Sequence, residues 1–349
     1  MVTIDGSEQS GSGTIVRYAV ALAGLKGESV HVVNARARRA TPGLRPQHVA
    51  SILACAALCG AETEGVAVGS REFVFRPGPR IAGGRFRWNI GTAGSATMLG
   101  LSVMPMAAVA EQTVNLDIDG GVFQDFAPSP HHLQHVLAPT LAQMGLTIDI
   151  QIARAGYVPA GAGMVRLSVT PSRSPLRPMV ATEPGRFRRV NGIAFSSHLT
   201  ARRVSERMAR ACQERLERAG LSCEIAQVDD ATALQPGACL TIWASSSTGC
   251  ILGADRAGAP RRTSEAIGRH VSDAFLSDIE SGATVDRHLA DQVVLFAALA
   301  DGTSRYVIPV ETDHLRTNLW LVSRFGASCT CIDRIVTIEG LGLTRSSRA

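Results

Sequence analysis

The hydrophobic pattern alternates between short apolar runs that predict strands and longer segments with helical periodicity. Near the N-terminus, Val2–Asp5 predicts a strand, residues 6–13 a loop of small residues, and residues 14–23 a helix. The same order of strand, glycine loop and helix returns around the loop 89–95. A unit of roughly 85 residues therefore occurs twice, and residues 288–333 supply a third version.

A separate group of elements is predicted from about Gly185. It contains two helices, 200–219 and 264–275, and four strands, 190–196, 223–228, 239–246 and 249–254. The longer helix carries Arg and Glu on one side, as a solvated face does. The sequence therefore predicts an α/β (α+β) protein with three parts: a core of three βα repeats at 1–184 and 281–341, a small α+β domain inserted at 185–280, and a tail at 342–349.

The stretch 311–325 predicts a turn that opens into a helix. Thr312 or Asp313 can cap its first turn, and apolar residues recur from Leu315 at the spacing of one buried face. His314 then lies in the first turn, where the free N–H groups and the helix dipole disfavour a cation and can hold a phosphate. A neutral histidine beside a phosphate acts as a nucleophile or a general acid; a capping or core histidine is the alternative.

The segment just upstream places other polar residues near His314. Residues 288–300 predict a helix and 305–310 a strand. About 13 helical residues span the same length as six strand residues, so the two helix N-termini return to one edge of the sheet. We therefore expect His288, Asp291 and Gln292 to lie close to His314.

The charged residues narrow the chemistry that the chain can carry. It has 349 residues and a formal net charge of +5, and Lys26 is its only lysine. This composition excludes a Gly-Lys-Ser/Thr phosphate loop, and Lys26, in a Leu-Lys-Gly turn, is poorly placed for a nucleophile. If the protein carries a nucleotide covalently, a histidine is the best remaining candidate. The abundant arginines favour bidentate contacts with phosphate.

No segment predicts secretion or a membrane span. The N-terminus lacks a charged start followed by an apolar core, and the apolar run 96–110 is interrupted by Pro105 and too short to cross a bilayer. The eight cysteines are expected to be reduced, because the sequence shows no secretory context. Neither close pair has zinc-ligand spacing, so apolar packing is favoured over a metal site. His131 and His135 have helical ligand spacing but no acidic partner nearby, so core packing is favoured over a metal. We expect a cytoplasmic protein.

Two motifs near the C-terminus are the most specific in the chain, His-Leu-Ala-Asp-Gln at 288–292 and His-Leu-Arg-Thr-Asn at 314–318. Together they resemble the active-site signature of the RNA 3′-terminal phosphate cyclases. The resemblance implies that His314 is the nucleophile that accepts AMP from ATP, in a reaction that converts an RNA 3′-terminal phosphate into a 2′,3′-cyclic phosphate. It also implies that the first motif binds the nucleotide, through His288, Leu289, Ala290, Asp291 and Gln292.

The basic segment 36–48, Arg-Ala-Arg-Arg-Ala-Thr-Pro-Gly-Leu-Arg-Pro-Gln-His, is also similar to a motif of that family, apart from Arg38, where a glycine is usual. A solvated basic surface is the alternative. ATP and a divalent cation, Mg²⁺ or Mn²⁺, are the implied cofactors, and an RNA 3′ end is the implied partner. The resemblance implies that four side chains meet the RNA 3′-phosphate and backbone: Arg17, Arg36, Arg39 and Gln47.

Several positions depart from the family pattern. The family's metal-binding glutamate falls on Ser10, so the metal ligand is unknown, with Glu8, two residues earlier, as an alternative. The remaining departures concern the nucleotide site. A loop glutamine falls on Thr14, a helix glutamine on Leu101, and an aromatic that covers the adenine aligns with Gly249 and Cys250.

Two other functions are compatible with this organisation. A non-catalytic RNA-binding relative, acting in RNA processing or ribosome assembly, would share the fold. His314 argues against it, whereas Ser10 and Leu101 argue for it. An enolpyruvyl transferase would share a repeated βα architecture, but the paired motifs give no reason to prefer it.

Overall fold

A computed structural model describes residues 1–344, whose strands form four four-stranded sheets. Three of these sheets share one strand order. In each, the first strand runs parallel to the second, the second is antiparallel to the fourth, and the fourth is antiparallel to the third. The α/β fold with a repeated core is thereby confirmed. Residues 345–349 of the predicted tail lie outside the described residues.

The first two units each place helices between successive strands. The first unit contains β1 (Val2–Asp5), α1 (Gly13–Lys26), β2 (Val30–Val33), α2 (Pro46–Cys59), β3 (Glu62–Glu64) and β4 (Phe73–Arg76). The second unit contains β5 (Gly84–Asn89), α3 (Ala96–Ala107), β6 (Val114–Gly120), α4 (Pro130–His132), α5 (Ala138–Gln143), β7 (Thr147–Arg154) and β8 (Gly163–Thr170). A π-helical turn, Leu133–Leu137, joins α4 to α5.

The third unit is split by the inserted elements, which follow its first strand, β9 (Val180–Ala181). The insertion contains β10 (Arg189–Ser197), a 3₁₀ turn (Thr200–Arg202), α6 (Val204–Arg218), β11 (Ser222–Asp230), β12 (Gly237–Ser245), β13 (Ile251–Ala257) and α7 (Ser264–Glu280). The third unit then resumes with α8 (Leu289–Gln292), α9 (Val294–Leu299), β14 (Thr303–Val307), α10 (Asp313–Arg324), β15 (Ser328–Ile332) and β16 (Ile335–Glu339).

The insertion has its own sheet and its own core. Its strand order, β11-β10-β12-β13, differs from that of the three units. Helices α6 and α7 pack together and cover the sheet, and their apolar faces meet it in a second core that includes Val190, Leu240 and Phe275. Ring stacking fixes the insertion to the second unit, because His135 lies flat on Trp243 at a centroid distance of 3.8 Å.

The predicted helix 288–300 is divided in the structure. It ends at Gln292 as α8 and resumes at Val294 as α9. Tyr306 gives a physical reason, because its buried hydroxyl donates to Ala290 O at 3.0 Å, and in an unbroken helix the N–H of Val294 would reach that carbonyl. The following strand, β14, occupies residues 303–307 instead of the predicted 305–310.

Helix α1 lies at the centre of the molecule. All its residues from Gly13 to Leu25 are buried, because α2, α3 and α10 pack around it. Small residues permit this close approach: a Cβ at Gly24 would collide with the Met106 side chain. Polar residues at the start of α1 are therefore held rigidly inside the protein.

None of the helices in residues 1–344 combines the length and the apolar character that a membrane crossing needs. All eight cysteines are free thiols, as predicted from the absence of a secretory context.

Candidate active site

A cleft of about 660 Å³ opens where the three units and the insertion meet. Because the first two strands of each unit are parallel, their carboxyl ends share one edge, and the loops that follow them form the cleft wall. The starts of α1, α3, α8 and α10 all reach this wall, and β13 and α7 of the insertion close another side. His288, Asp291, Gln292 and His314 line one cleft, as predicted from the connection geometry.

His314 lies in the first turn of α10, as predicted. Thr312 caps this helix, because its side chain accepts a hydrogen bond from Leu315 N at 3.0 Å. His314 Nδ1 lies 3.3 Å from Thr14 Oγ1, at the start of α1. Burial, together with the charges of Arg17 and Arg39, lowers the pKa of His314. The imidazole is therefore neutral near pH 7 and keeps a lone pair for chemistry.

Arg17 places a buried positive charge next to this histidine. Its side chain is enclosed, and its Nη2 donates to Thr14 Oγ1 at 3.4 Å. Burial lowers its pKa to about 10, so the guanidinium stays charged at neutral pH. Within residues 1–344 its Nε has no hydrogen-bond partner. A buried cation with an unused donor is suited to an anionic ligand.

Two further arginines face the cleft from the loop between β2 and α2. Arg36 is held by its own loop, because its Nη1 donates to Thr41 O at 2.9 Å and Gly43 O at 2.6 Å. Burial and the neighbouring charges of Arg39 and Arg45 lower the pKa of Arg36. Such mutual repulsion between clustered cations is relieved when an anion binds between them.

Gln47 connects this loop to the second unit. Its Oε1 accepts a hydrogen bond from Ser95 N at 3.1 Å, at the start of α3. The amide N–H groups of Gln47 remain for a ligand in the cleft. The four side chains predicted for the RNA phosphate, Arg17, Arg36, Arg39 and Gln47, thus line the cleft together.

The polar residues of α8 and α10 form the opposite part of the site. Asn318 Nδ2 donates to Asp291 O at 2.8 Å and ties the two helices together. Gln292 Oε1 and Asn318 Oδ1 are buried and lack a hydrogen-bond partner in the described part of the chain. Buried polar atoms are normally paired, so these two amides mark positions for ligand donors.

Asp291 is the titratable group of this wall. Burial, and then the nearby negative charge of Asp286, raise the pKa of its carboxyl to about 7. The group therefore gains and loses a proton in the physiological range. Perturbed carboxyls of this kind are frequent in active sites.

Some predicted contacts fall elsewhere. Leu289 and Ala290 are fully buried in the hydrophobic core and do not line the cleft, so their side chains support the nucleotide motif from behind. Their apolar side chains face the core, whereas Asp291 and Gln292 of the same helix line the cleft. Gly249 and Cys250 line a separate hollow beside Glu183, so neither takes the place of the aromatic over the adenine. Leu101 does line the main cleft.

The residues near the start of α1 do not fit a protein-bound metal. Ser10 N and its hydroxyl are hydrogen-bonded to Thr317 and Ser12 at 2.9 to 3.2 Å. Glu8 is exposed and does not line the cleft. Within residues 1–344 no group of three or more His, Cys, Asp or Glu side chains could hold a metal ion. The first unit contributes the cations Arg17, Arg36 and Arg39 to the cleft wall.

The predicted site omits the loop between β6 and α4 and several residues of the insertion. Gln124, Asp125 and Phe126 line the cleft from this loop, and Arg256 and His270 line it from the insertion. The repeat pattern could have predicted the loop, because the loop follows the second strand of its unit just as the arginine loop follows β2. No sequence pattern indicated that residues of the insertion would line the cleft.

Comparison with known proteins shows the family of the chain. A family model for "RNA 3'-terminal phosphate cyclase" matches residues 8–331. A protein of that name from Caldivirga maquilingensis is 37% identical over 330 residues, covering 93% of this chain and 92% of that protein. One from Pyrococcus furiosus is 37% identical and covers 93% of each, and one from Nitrosospira multiformis is 36% identical, covering 93% of this chain and 91% of that protein.

The fold and the cleft define a repeated βα protein that brings arginines and a neutral histidine together in one cleft. The chain belongs to the RNA 3′-terminal phosphate cyclase family.

Proposed function

We propose that the protein converts an RNA 3′-terminal phosphate into a 2′,3′-cyclic phosphate at the expense of ATP, through a covalent histidine–AMP intermediate. The observation that carries this proposal is the neutral His314 beside the buried, incompletely paired Arg17. A nucleophile and an anion site share one cleft there. Relatives with 36 to 37% identity carry the name of this activity.

In the first step, His314 attacks the α-phosphorus of ATP, a P–N bond forms, and the P–O bond to pyrophosphate breaks. Only the imidazole nitrogen that carries the free lone pair can attack the phosphorus. When Nδ1–H donates to Thr14 Oγ1, 3.3 Å away, Nε2 carries the lone pair. In that tautomer Thr14 acts as a positioning residue that orients the ring, and Arg17 stabilises the negative charge that develops on the phosphoryl oxygens.

In the second step, an oxygen of the RNA 3′-phosphate attacks the adenylyl phosphorus and the P–N bond breaks. The phosphate would be held in line with His314 by four side chains, those of Arg17, Arg36, Arg39 and Gln47. The ribose 2′-hydroxyl then attacks the activated 3′-phosphorus, which closes the cyclic phosphate and releases AMP. These steps require little covalent chemistry from the protein and depend on positioning and charge neutralisation.

We assign the nucleotide motif to ribose and base contacts. The unpaired amide oxygens of Gln292 and Asn318 are acceptors for hydroxyl or amino groups. Asp291, with a pKa of about 7, is suited to accept a proton from a ribose hydroxyl. Any divalent cation would arrive with the ATP phosphates, since the loop at Ser10 does not provide the acidic ligand.

The proposal is tested by mass spectrometry of the intact protein after incubation with ATP and Mg²⁺ or Mn²⁺. We expect one AMP adduct in the wild type and in His31→Ala, a control histidine on β2 outside the cleft, and none in His314→Ala. An adduct that survives in His314→Ala would refute the nucleophile. Added RNA with a 3′-phosphate should discharge the adduct and become resistant to phosphatase.

A second candidate function is RNA binding without catalysis. The observation that favours it is the hydrogen-bonded Ser10, which stands where the family has a metal ligand. The same experiment separates the two functions. Tight binding of 3′-phosphorylated RNA without any adduct, in the presence of either metal ion, would support the second.

A further inference from the structure

Phe126 is the most exposed large hydrophobic side chain in the described part of the protein, with a relative exposure of 103%. It lies in the loop between β6 and α4 and lines the cleft. Its ring therefore stands on the rim of the site and packs against no core. Burial cannot explain a phenylalanine at this position.

The backbone at Phe126 is also unfavourable. Its φ is +64°, a left-handed conformation that bulky residues rarely adopt. Backbone strain of this kind persists where the surrounding structure imposes it, and it is concentrated at functional sites. A glycine would relieve the strain, yet the position carries an aromatic ring.

The surrounding structure holds this loop from both sides. Asp125 forms a two-pronged ion pair with Arg262, at 2.8 and 3.0 Å, and lies 3.4 Å from Arg256 of β13. Pro128 O accepts a hydrogen bond from Thr97 Oγ1 at 2.8 Å. The ring is therefore presented at a fixed place, between the second unit and the insertion.

The chemistry of the cleft indicates what such a ring meets. Proteins that bind single-stranded nucleic acid combine cationic groups for the phosphates with exposed aromatic rings on which bases stack. Here the cations are Arg17, Arg36 and Arg39, and all line the same cleft as Phe126. A polynucleotide held in the cleft by its 3′ end must leave across the rim, where Phe126 lies.

We propose that Phe126 is a stacking platform for a base near the 3′ end of the RNA strand as that strand leaves the cleft. This inference rests on the proposed function, because it takes RNA as the substrate. Stacking on a ring reads no base edge, so the contact would strengthen binding without selecting a sequence.

The test measures binding of short RNAs with a 3′-phosphate, without ATP, to the wild type and to Phe126→Ala. A set of RNAs with one abasic nucleotide at successive positions from the 3′ end locates the stacked base. Loss of one stacked base corresponds to between about fivefold and about a hundredfold in Kd. We expect Phe126→Ala to lower the affinity for intact RNA by such a factor. For the RNA that is abasic at the stacked position, we expect Phe126→Ala and the wild type to have the same affinity.

Matched variants separate stacking from other effects. Phe126→Trp should keep the affinity, whereas Phe126→Gly should raise the melting temperature, by relieving the positive φ, and still lose affinity. Leu234→Ala removes an exposed side chain outside the cleft and should change neither. Unchanged RNA affinity in Phe126→Ala, or equal losses for every abasic RNA in both proteins, would overturn the inference.

The ring could instead contact the adenine of ATP, and AMP-adduct formation in the absence of RNA distinguishes this outcome. The same measurement tests the proposed function separately from the inference about Phe126. If Phe126→Ala raises the ATP concentration needed for the adduct and leaves RNA affinity intact, the ring contacts the adenine of ATP and the inference is wrong. If the wild type forms no adduct but RNA binding depends on Phe126, the proposed function fails and the inference stands.

Discussion

Thr14 Oγ1 lies 3.3 Å from His314 Nδ1, although the two residues are 300 positions apart in the sequence. The contact joins the first helix of the first unit, α1, to the last helix of the third unit, α10. Arg17, one turn further along α1, donates to the same hydroxyl. One threonine therefore links the proposed nucleophile to the buried cation beside it.

Replacing Thr14 with valine should slow formation of the AMP adduct. Valine keeps the shape but cannot hold Nδ1–H, so the reactive tautomer loses one hydrogen bond, worth about 0.5–1.5 kcal/mol. We expect a decrease of roughly two- to tenfold in the single-turnover rate, with recovery in Thr14→Ser. Thr140→Val is the matched control, because Thr140 is buried in α5 and its hydroxyl donates to Val136 O at 2.7 Å, away from the cleft. An unchanged rate in Thr14→Val would remove the positioning role.

The pH dependence of adduct formation should reflect a neutral histidine. Because the pKa of His314 is lowered in the folded protein, the reactive form persists down to the ordinary histidine value of about 6.5 and is lost only below it. Rates measured by rapid quench between pH 5 and pH 9 check this. A rate decrease centred near pH 7 that disappears in Asp291→Asn would belong to Asp291, whose pKa is about 7. If that decrease persisted in Asp291→Asn, the histidine assignment would be contradicted.

Substitution of Arg17 should weaken recognition of the terminal phosphate. Lysine keeps the charge but lacks the planar guanidinium, so Arg17→Lys loses the bidentate geometry, and Arg17→Met leaves no charge at all. Loss of a buried charged partner costs roughly 2–5 kcal/mol, so Arg17→Met should bind RNA with a 3′-phosphate at least about thirtyfold less tightly.

The control for Arg17 is Arg38→Met, because Arg38 is exposed, donates to Gln9 O and does not line the cleft. RNA with a 3′-hydroxyl provides the second comparison. If Arg17→Met weakened binding of both RNAs equally, the arginine would contact the strand and not its terminal phosphate.

The buried pair formed by His132 and Asp286 should control both stability and the nucleotide motif. His132 Nε2 lies 3.1 Å from Asp286 Oδ2, which also accepts from Gly253 N at 2.9 Å, while Oδ1 accepts from His288 N and Leu289 N at 2.8 Å. One carboxylate thus fastens the second unit, the insertion and the start of α8. Asp286→Asn should lower the free energy of unfolding by roughly 3–5 kcal/mol and raise the KM for ATP.

The same pair predicts opposite pH effects on stability. Burial opposes ionisation of Asp286, but His132, the charge of His288 and the backbone N–H of Leu289 together outweigh burial and lower the Asp286 pKa to about 2. This stabilisation is therefore present above the ordinary carboxyl pKa and is lost as pH falls from about 4 to about 2. The pKa of His132 is raised despite burial, so its share is complete below about pH 6.5 and decreases above it. Urea unfolding of wild type and Asp286→Asn at pH 3, 5 and 8 checks both directions. A pH-independent difference would contradict the ionised pair.

Much of the helix that carries His314 could be predicted from neighbouring residues in the sequence. The first turn of α10 follows from its capping threonine and its apolar spacing. A helix followed by a returning strand predicted that His314, His288 and Gln292 lie in one cleft, although the helix is divided and the strand has five residues. The break at Val293 could not be predicted, because it depends on the Tyr306 hydroxyl, which reaches Ala290 O from another element.

The sequence alone determined the repeated βα units, the place of His314 in its helix and the arginine-rich character of the site. Helix caps and periodicity depend on neighbouring residues, and composition is read directly from the sequence. The tertiary structure decided which groups meet in the cleft: Thr14 with His314, Asp286 with His132, and Phe126 on the rim. It also placed Leu289 and Ala290 in the core. Such contacts join residues from different units, and their distances depend on how the sheets and helices pack together.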